Sequence, residues 1–299
     1  MQTDLHQHLW PAPFLAALRA RRTAPRLVGW RLELPGEREC ELDPVAHDPG
    51  ARAELAAADG DALVCIAPSA SCGFDRLEPG AVAELAEAWL EGALALPAPF
   101  RAWALPAGPD ALEDALGRGA VGLEIGADLL AAPGGLDALA PLLELLDARE
   151  RPLLVHPGPA GAADTPGSPG WWAPVVPYVQ QLHAAWWTWA DGGRARFPRL
   201  PVCFAALAGL GPLHMERRRA RGGAMLPFDP LTFVETSSYG TQAVDAVIRA
   251  LGIDIVCHGS DRPYAEPALP RLGSDAALHS IRTVNPGRLL AHVPQEVTA

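Results

Sequence analysis

Four residues, far apart in the chain, carry the strongest chemical signal. His6 and His8 lie two apart in Asp4-Leu5-His6-Gln7-His8. Residues two apart on a strand point to the same side, so both imidazoles can reach one point. His156 closes the apolar run Leu153-Leu154-Val155 and is followed by Pro157-Gly158. Asp261 follows Cys257-His258-Gly259-Ser260. Neutral imidazole is a good ligand for Zn²⁺ or another borderline divalent cation. Taken singly, each residue has an ordinary alternative: a surface or core histidine, a His satisfied by a carbonyl, a capping Asp. Brought to one place, three His and one Asp make a catalytic metal set with room for a water. The cation lowers that water's pKa toward neutral, and a carboxylate can take its proton.

The elements that must position these residues are short β-like runs. They are Thr3–His8, Ala62–Ala67, Arg101–Leu105, Val121–Ile125, Pro152–His156, Val202–Ala206, Thr232–Thr236 and Asp254–His258. Between most of them lie helical stretches with apolar residues at three- and four-residue steps: Ala81–Leu96, Leu136–Arg149, Val175–Asp191 and Thr241–Leu251. Strands alternating with helices imply right-handed crossovers and a parallel sheet. Eight such units closing on themselves give a (β/α)8 TIM barrel, with an open doubly wound sheet as the alternative. In a barrel the C-terminal strand ends converge, and all four residues sit at such ends. After the first strand, an insertion over about 26–60 contains Arg31–Leu42, which alternates around Pro35-Gly36 and reads as a β-hairpin. It is either a cover for the barrel mouth or an edge ribbon. A second long loop, Pro157–Pro174, ends in Trp171-Trp172. The expected organisation is one barrel domain over residues 1–299.

Composition removes several chemistries. All 24 Lys+Arg are Arg, which excludes a Lys Schiff base, a P-loop Lys and a carboxylated Lys bridging two metals. The 35 Asp+Glu give a net charge of −11, which argues against nucleic acid or anionic membrane as partner. No apolar run reaches ~18 residues, so no transmembrane helix is expected. A signal peptide is not expected either, and the five scattered Cys read as reduced thiols in a cytoplasmic protein.

These motifs resemble the amidohydrolase superfamily, and within it the amidohydrolase-2 branch. The resemblance rests on Asp4 with His6-Gln7-His8, on Val155-His156-Pro157-Gly158, and on Gly259-Ser260-Asp261 before Pro263-Tyr264. Gly193–Pro201 resembles that branch's lead-in to the sixth strand, and Asn285-Pro286-Gly287-Arg288-Leu289-Leu290 its C-terminal helix. The resemblance implies a barrel holding one divalent metal, usually Zn²⁺ with Mn²⁺ the alternative, on His6, His8, His156 and Asp261. It also implies a His ending the sixth strand, where this sequence has Ala206 in Val202-Cys203-Phe204-Ala205-Ala206. His183 or His214 could fill that acid/base role; otherwise they are helix-surface or packing residues.

Around this set, Trp10, Trp171 and Trp172 are candidate walls for a cyclic or aromatic small molecule. The nine Trp equally suit a homodimer interface. Arg262 is a candidate grip for a substrate carboxylate, and the Arg217–Arg221 run reads as a solvated helix face. Glu124, in the fourth strand, suits an Arg-paired or ligand-supporting role better than a bridge between two metals. His258 is a strand-end partner or a packing residue. The leading reading is a metal-dependent hydrolase of a small cyclic or aromatic amide, lactone or ester, with Asp261 as base and His183 as a catalytic candidate. The alternatives are a non-oxidative decarboxylase and a catalytically silent barrel.

Overall fold

The computed structural model describes residues 1–161, 167–267 and 270–294. Positions 162–166 of the Trp171-Trp172 loop thus lie outside the described residues. Eleven strands are present among these: β1 (Thr3–Gln7), β2 (Arg26–Val28), β3 (Arg31–Glu33), β4 (Cys40–Glu41), β5 (Leu63–Ile66), β6 (Phe100–Ala102), β7 (Leu123–Gly126), β8 (Leu153–His156), β9 (Val202–Phe204), β10 (Thr232–Glu235) and β11 (Val256–Cys257). Eight of them, β1 and β5 to β11, are the expected barrel staves. Of these, β5, β8 and β9 are mostly apolar runs because both faces are covered, by the barrel interior and by the helices, whereas β1 is polar at four of its five buried positions.

β1, β5 and β6 pair in parallel, and so do β7 to β11. Backbone hydrogen bonds join these two groups at both edges. Between β6 and β7, Val121 N–H donates to Ala102 O (2.8 Å) and Glu124 N–H to Ala104 O (3.0 Å). Between β11 and β1, Leu5 N–H donates to His258 O (3.0 Å) and Asp261 N–H to His6 O (2.9 Å). The result is a closed (β/α)8 barrel whose first and last strands meet where His6, His8 and Asp261 stand.

The helices cover the barrel as the periodicity predicts. Helix Pro79–Leu94 buries Val82, Leu85, Trp89, Leu90 and Ala93 along one stripe, and helix Thr241–Leu251 buries Val244 and Val247. Two expected helices are interrupted. The stretch 136–149 divides into Gly135–Ala138 and Ala140–Arg149, with Pro141 opening the second. The stretch 175–191 divides at Val176-Pro177 and widens into a π turn over Trp189–Gly193. No helix among the described residues is long and apolar enough to cross a membrane.

The hairpin after the first strand is larger than expected, because β2 pairs with β3 and makes a three-stranded antiparallel sheet. Leu27, Leu32 and Leu42 sink into a core with Leu9, Trp10, Phe14 and Phe74. The hairpin's tip reaches the loop that follows β8. Glu37 accepts from Gly161 N–H at 2.8 Å, and Arg38 donates to Ser168 O at 3.2 Å. The insertion is therefore tied to the C-terminal side of the barrel.

Candidate metal centre

His6 and His8 lie on and just past β1, His156 ends β8, and Asp261 follows β11. Their ligand atoms all fall within 4.8 Å of one another. The three imidazoles stand edge-on in mutually perpendicular planes, with ring centroids 4.8, 4.9 and 5.2 Å apart. Asp261 Oδ1 is 3.2 Å from His8 Nε2 and 3.8 Å from His6 Nε2. Asp261 takes φ +63°, a left-handed conformation that Asp tolerates better than most residues, and this turns its carboxylate back toward the histidines.

The outer nitrogens decide what the inner ones can do. His8 Nδ1 donates to Ala67 O at 3.0 Å and His156 Nδ1 to Pro157 O at 2.9 Å. A carbonyl only accepts, so these rings carry their proton on Nδ1 and present a bare Nε2 inward. His6 Nδ1 donates to Glu235 Oε1 at 3.2 Å. His6 Nε2 and His8 Nε2 then face each other at 3.0 Å, an arrangement that repels unless a proton or a cation lies between the lone pairs.

The field asks for the same thing. Burial works against charge on His6, but Glu235, Asp261 and Glu124 outweigh it and push its pKa up to about 9. Burial, and then the neighbouring imidazoles, drive His156 well down. Burial also lowers His8, aided by His6. Burial tends to raise the Asp261 carboxyl, but the His8 hydrogen bond and the three imidazoles hold it below its usual range. The pocket wants positive charge but cannot hold a proton on every ring. A divalent cation on four inward ligands answers both facts.

Glu235 is the residue the sequence reading missed. It is fully buried and gathers four donors. Oε1 accepts from His6 Nδ1, from Ala206 N–H at 2.8 Å and from the Ser237 hydroxyl at 2.6 Å; Oε2 accepts from Ser237 N–H at 2.6 Å. Gly259 makes room for it, since a Cβ there would lie 2.1 Å from Glu235 Oε2. Among the described residues Glu124 has no Arg partner: its carboxylate accepts from Ser69 N–H and Ala70 N–H, each at 3.1 Å. It stands 3.7 Å from His156 Nδ1. Burial pushes Glu124 up to about 7 against those hydrogen bonds.

Several sequence-proposed residues lie elsewhere. Trp10 is fully buried, donates to Pro68 O at 3.1 Å and packs on Phe14, His47 and Phe74; it is a core residue, not a substrate wall. The Arg262 guanidinium is held by Asp59 at 2.5 Å and faces Glu266 at 3.6 Å, so it is not offered at the centre. His183 meets His214 edge-on at 4.8 Å, and among the described residues neither ring contacts the four ligands. Neither therefore replaces the sixth-strand His. At that place Ala206 to Leu210 run through five consecutive left-handed residues, and Ala206 contributes its N–H, shared between Glu235 and the Ser237 hydroxyl oxygen. Trp171 and Trp172 are exposed beyond β8, 58% and 37%, with rings 5.8 Å apart. The aromatic residue that does stand at the centre is Tyr264, half-exposed, its ring 5.3 Å from that of His8. Its sequence signal was the Pro-Tyr pair after Asp261.

The amidohydrolase family model matches residues 3–289. The chain belongs to the amidohydrolase family. This amidohydrolase is similar in fold to 5-carboxyvanillate decarboxylase from Sphingomonas paucimobilis, at TM-score 0.73 and 17% identity over 97% of this chain and 98% of that one. It is also similar to 4-oxalomesaconate hydratase from Rhodopseudomonas palustris, at TM-score 0.68 and 16% identity over 98% and 96%. A third similar structure is a 5-carboxyvanillate decarboxylase from Novosphingobium aromaticivorans with bound manganese, at TM-score 0.68, 15% identity and 97% coverage of each chain. No curated protein matches the sequence. Members of this branch are enzymes that use a divalent metal, and the four convergent ligands are where this chain offers a place for one.

Proposed function

We propose that this amidohydrolase is a metal-dependent lyase that decarboxylates a small hydroxylated aromatic or cyclic carboxylic acid. The observation that carries the reading is Asp261. Of the four ligands it alone has substantial access from the mouth, with 22% of its side chain exposed against 1% for His8. Its carboxyl is held below the usual range, and among the described residues its contacts with the histidines run through Oδ1, which leaves Oδ2 to move a proton. Whole-chain likeness to decarboxylases of aromatic acids supports the reaction, and Tyr264 supports a flat substrate. Zn²⁺ and Mn²⁺ both suit three nitrogens and one oxygen, and the manganese-bound relative supports Mn²⁺.

When bound, the cation supplies Lewis-acid chemistry, drawing charge from the substrate's oxygens. His6, His8, His156 and Asp261 would hold it, with Glu235, Ala67 and Pro157 holding the histidines. Asp261 takes a proton from the substrate hydroxyl and returns it to the ring carbon that bears the carboxylate. The carbon–carboxylate bond breaks, CO₂ leaves, and the bond's electron pair becomes the new C–H bond. Solvent restores the hydroxyl proton, so one proton is consumed per CO₂. With Ala206 at the sixth strand, the imidazoles beside Asp261 among the described residues are those of the metal-ligand set, so the proton shuttle falls to Asp261 itself.

A second reading, hydrolysis of a small amide, lactone or ester, is favoured by one observation. Arg262 is held by Asp59, and Arg52 by Gln7 and the carbonyls of His8 and Ala46, so neither is offered to a substrate carboxylate. The test is a metal-replete screen of hydroxybenzoates, lactones and cyclic amides, following CO₂ and ring opening separately. CO₂ release that falls at least about 100-fold in Asp261→Asn, with metal retained, is expected. Ring opening without CO₂ moves the assignment to hydrolysis, and full activity in Asp261→Asn overturns the proton shuttle. Less than roughly half a metal ion per chain after growth with Zn²⁺ or Mn²⁺ points to the catalytically silent barrel.

A further inference from the structure

Away from the four candidate metal ligands, helix Pro177–Thr188 meets the segment that carries Ala206 to His214. A cleft of about 760 Å³ opens there, lined among others by His183, Trp187, His214, Arg217 and Arg221. Its side chains are overwhelmingly donors. The one carboxylate lining the cleft among the described residues, Asp191, is neutralised by Arg218 at 2.8 Å. The Arg218 guanidinium also lies over the Trp187 ring at 5.8 Å, which fixes the indole as a flat wall.

Arg217 and Arg221 are the informative pair. Both are exposed, and among the described residues neither side chain has a hydrogen-bond or carboxylate partner. They stand four apart around the short helix Met215–Ala220, where like charges repel. In a chain with 35 acidic residues against 24 Arg, two unpartnered guanidiniums facing one cleft are conspicuous. A planar guanidinium matches an oxyanion through two parallel hydrogen bonds. The two imidazoles, edge-on at 4.8 Å, add ring N–H donors at the same opening.

We propose that this cleft binds an oxyanion carried on a flat organic body, with Arg217 and Arg221 gripping the anion and Trp187 receiving the ring. The site is separate from the metal centre and does not depend on the reaction assigned there. Carboxylate and phosphate share this chemistry, so both are tested.

Binding of benzoate, phenyl phosphate and inorganic phosphate is measured by calorimetry on chelator-treated protein, so that no metal competes for the anion. Saturable binding of at least one aromatic anion, tighter than inorganic phosphate, is expected. The double variant Arg217→Ala/Arg221→Ala weakens it at least tenfold with an unchanged melting temperature, and Trp187→Leu erases the preference for the aromatic anion. His156→Ala leaves it unchanged. The preferred aromatic anion identifies the natural chemistry as carboxylate or phosphate. Absence of binding, equal affinity in the double Arg variant, or loss in His156→Ala overturns the proposal.

Discussion

Glu235 shows how much one buried carboxylate decides at this centre. It fixes the His6 ring, anchors Ala206 and is itself tied down by Ser237. Groups that orient a metal-bound histidine are worth 10–100-fold in metal affinity. Glu235→Ala is therefore expected to weaken Zn²⁺ or Mn²⁺ binding by about that factor in a chelator competition, with Glu235→Gln recovering part, since its amide oxygen still accepts from Nδ1. The signal for Glu235 was in the sequence: a charge closes the apolar run Thr232-Phe233-Val234, as His156 closes its own. Arg262 and Trp10 were misplaced for a different reason. A residue's type says what it can bind, but Asp59 lies 203 positions from Arg262, and nothing local announces that pairing. His47 gives a second test at this scale. Its Nδ1 accepts from Trp10 N–H at 3.0 Å, which requires the unprotonated nitrogen, and burial aided by Arg52 pushes its pKa down to about 4. Unfolding returns it to about 6.5, so the unfolded chain takes up a proton the folded one refuses. Stability from this residue is complete above pH 6.5 and falls by about 3 kcal/mol as pH drops to about 4. His47→Gln, which keeps an acceptor for Trp10, should remove that part of the acid sensitivity in denaturation profiles taken across this window.

At the scale of elements, apolar runs made most of the eight barrel strands legible, because a stave covered on both faces leaves a hydrophobic trace, while polar β1 was legible from the two-residue spacing of His6 and His8. The third strand of the insertion was not legible. Arg26–Val28 is three residues long and gains its identity by pairing with β3, a tertiary fact. The least legible element is the left-handed run from Ala206 to Leu210. Ala and Leu in that conformation cost roughly 1–2 kcal/mol each, so no local preference predicts it. It is held by packing: Leu207 and Ala208 are fully buried, and Ala206 is fastened to Glu235. Gly209 completes the fit, at φ +56° and against the neighbouring helix backbone. A Cβ there would lie 2.4 Å from Val179 O and 3.0 Å from His183 N. Neither backbone atom can yield without moving helix Pro177–Thr188. Gly209→Ala is expected to destabilise the protein by about 2–3 kcal/mol from overpacking, read as a lowered denaturation midpoint at unchanged slope. An effect under about 0.5 kcal/mol, the range of ordinary surface changes, would mean the helix is free to shift.

The whole molecule is closed by the same residues that offer the metal site. β1 and the segment after β11 are joined through Leu5, His6 and Asp261 backbone bonds, and His6, His8 and Asp261 side chains face each other across that joint. His156 reaches in from β8, four staves from β1 around the ring in either direction. A cation on these four ligands therefore links the first, fifth and eighth staves, segments more than 250 residues apart at the extremes. An ion that binds the folded chain alone stabilises it by about 4 kcal/mol at a thousand times its Kd. At roughly 2 °C per kcal/mol for a chain of this size, the melting temperature should rise by about 8 °C on loading with Zn²⁺ or Mn²⁺. His156→Ala should abolish most of that rise while melting as a single transition, because the backbone joint between β11 and β1 survives the loss of one ligand from the far side. A metal-dependent rise of the same size in His156→Ala would show that the ion binds elsewhere.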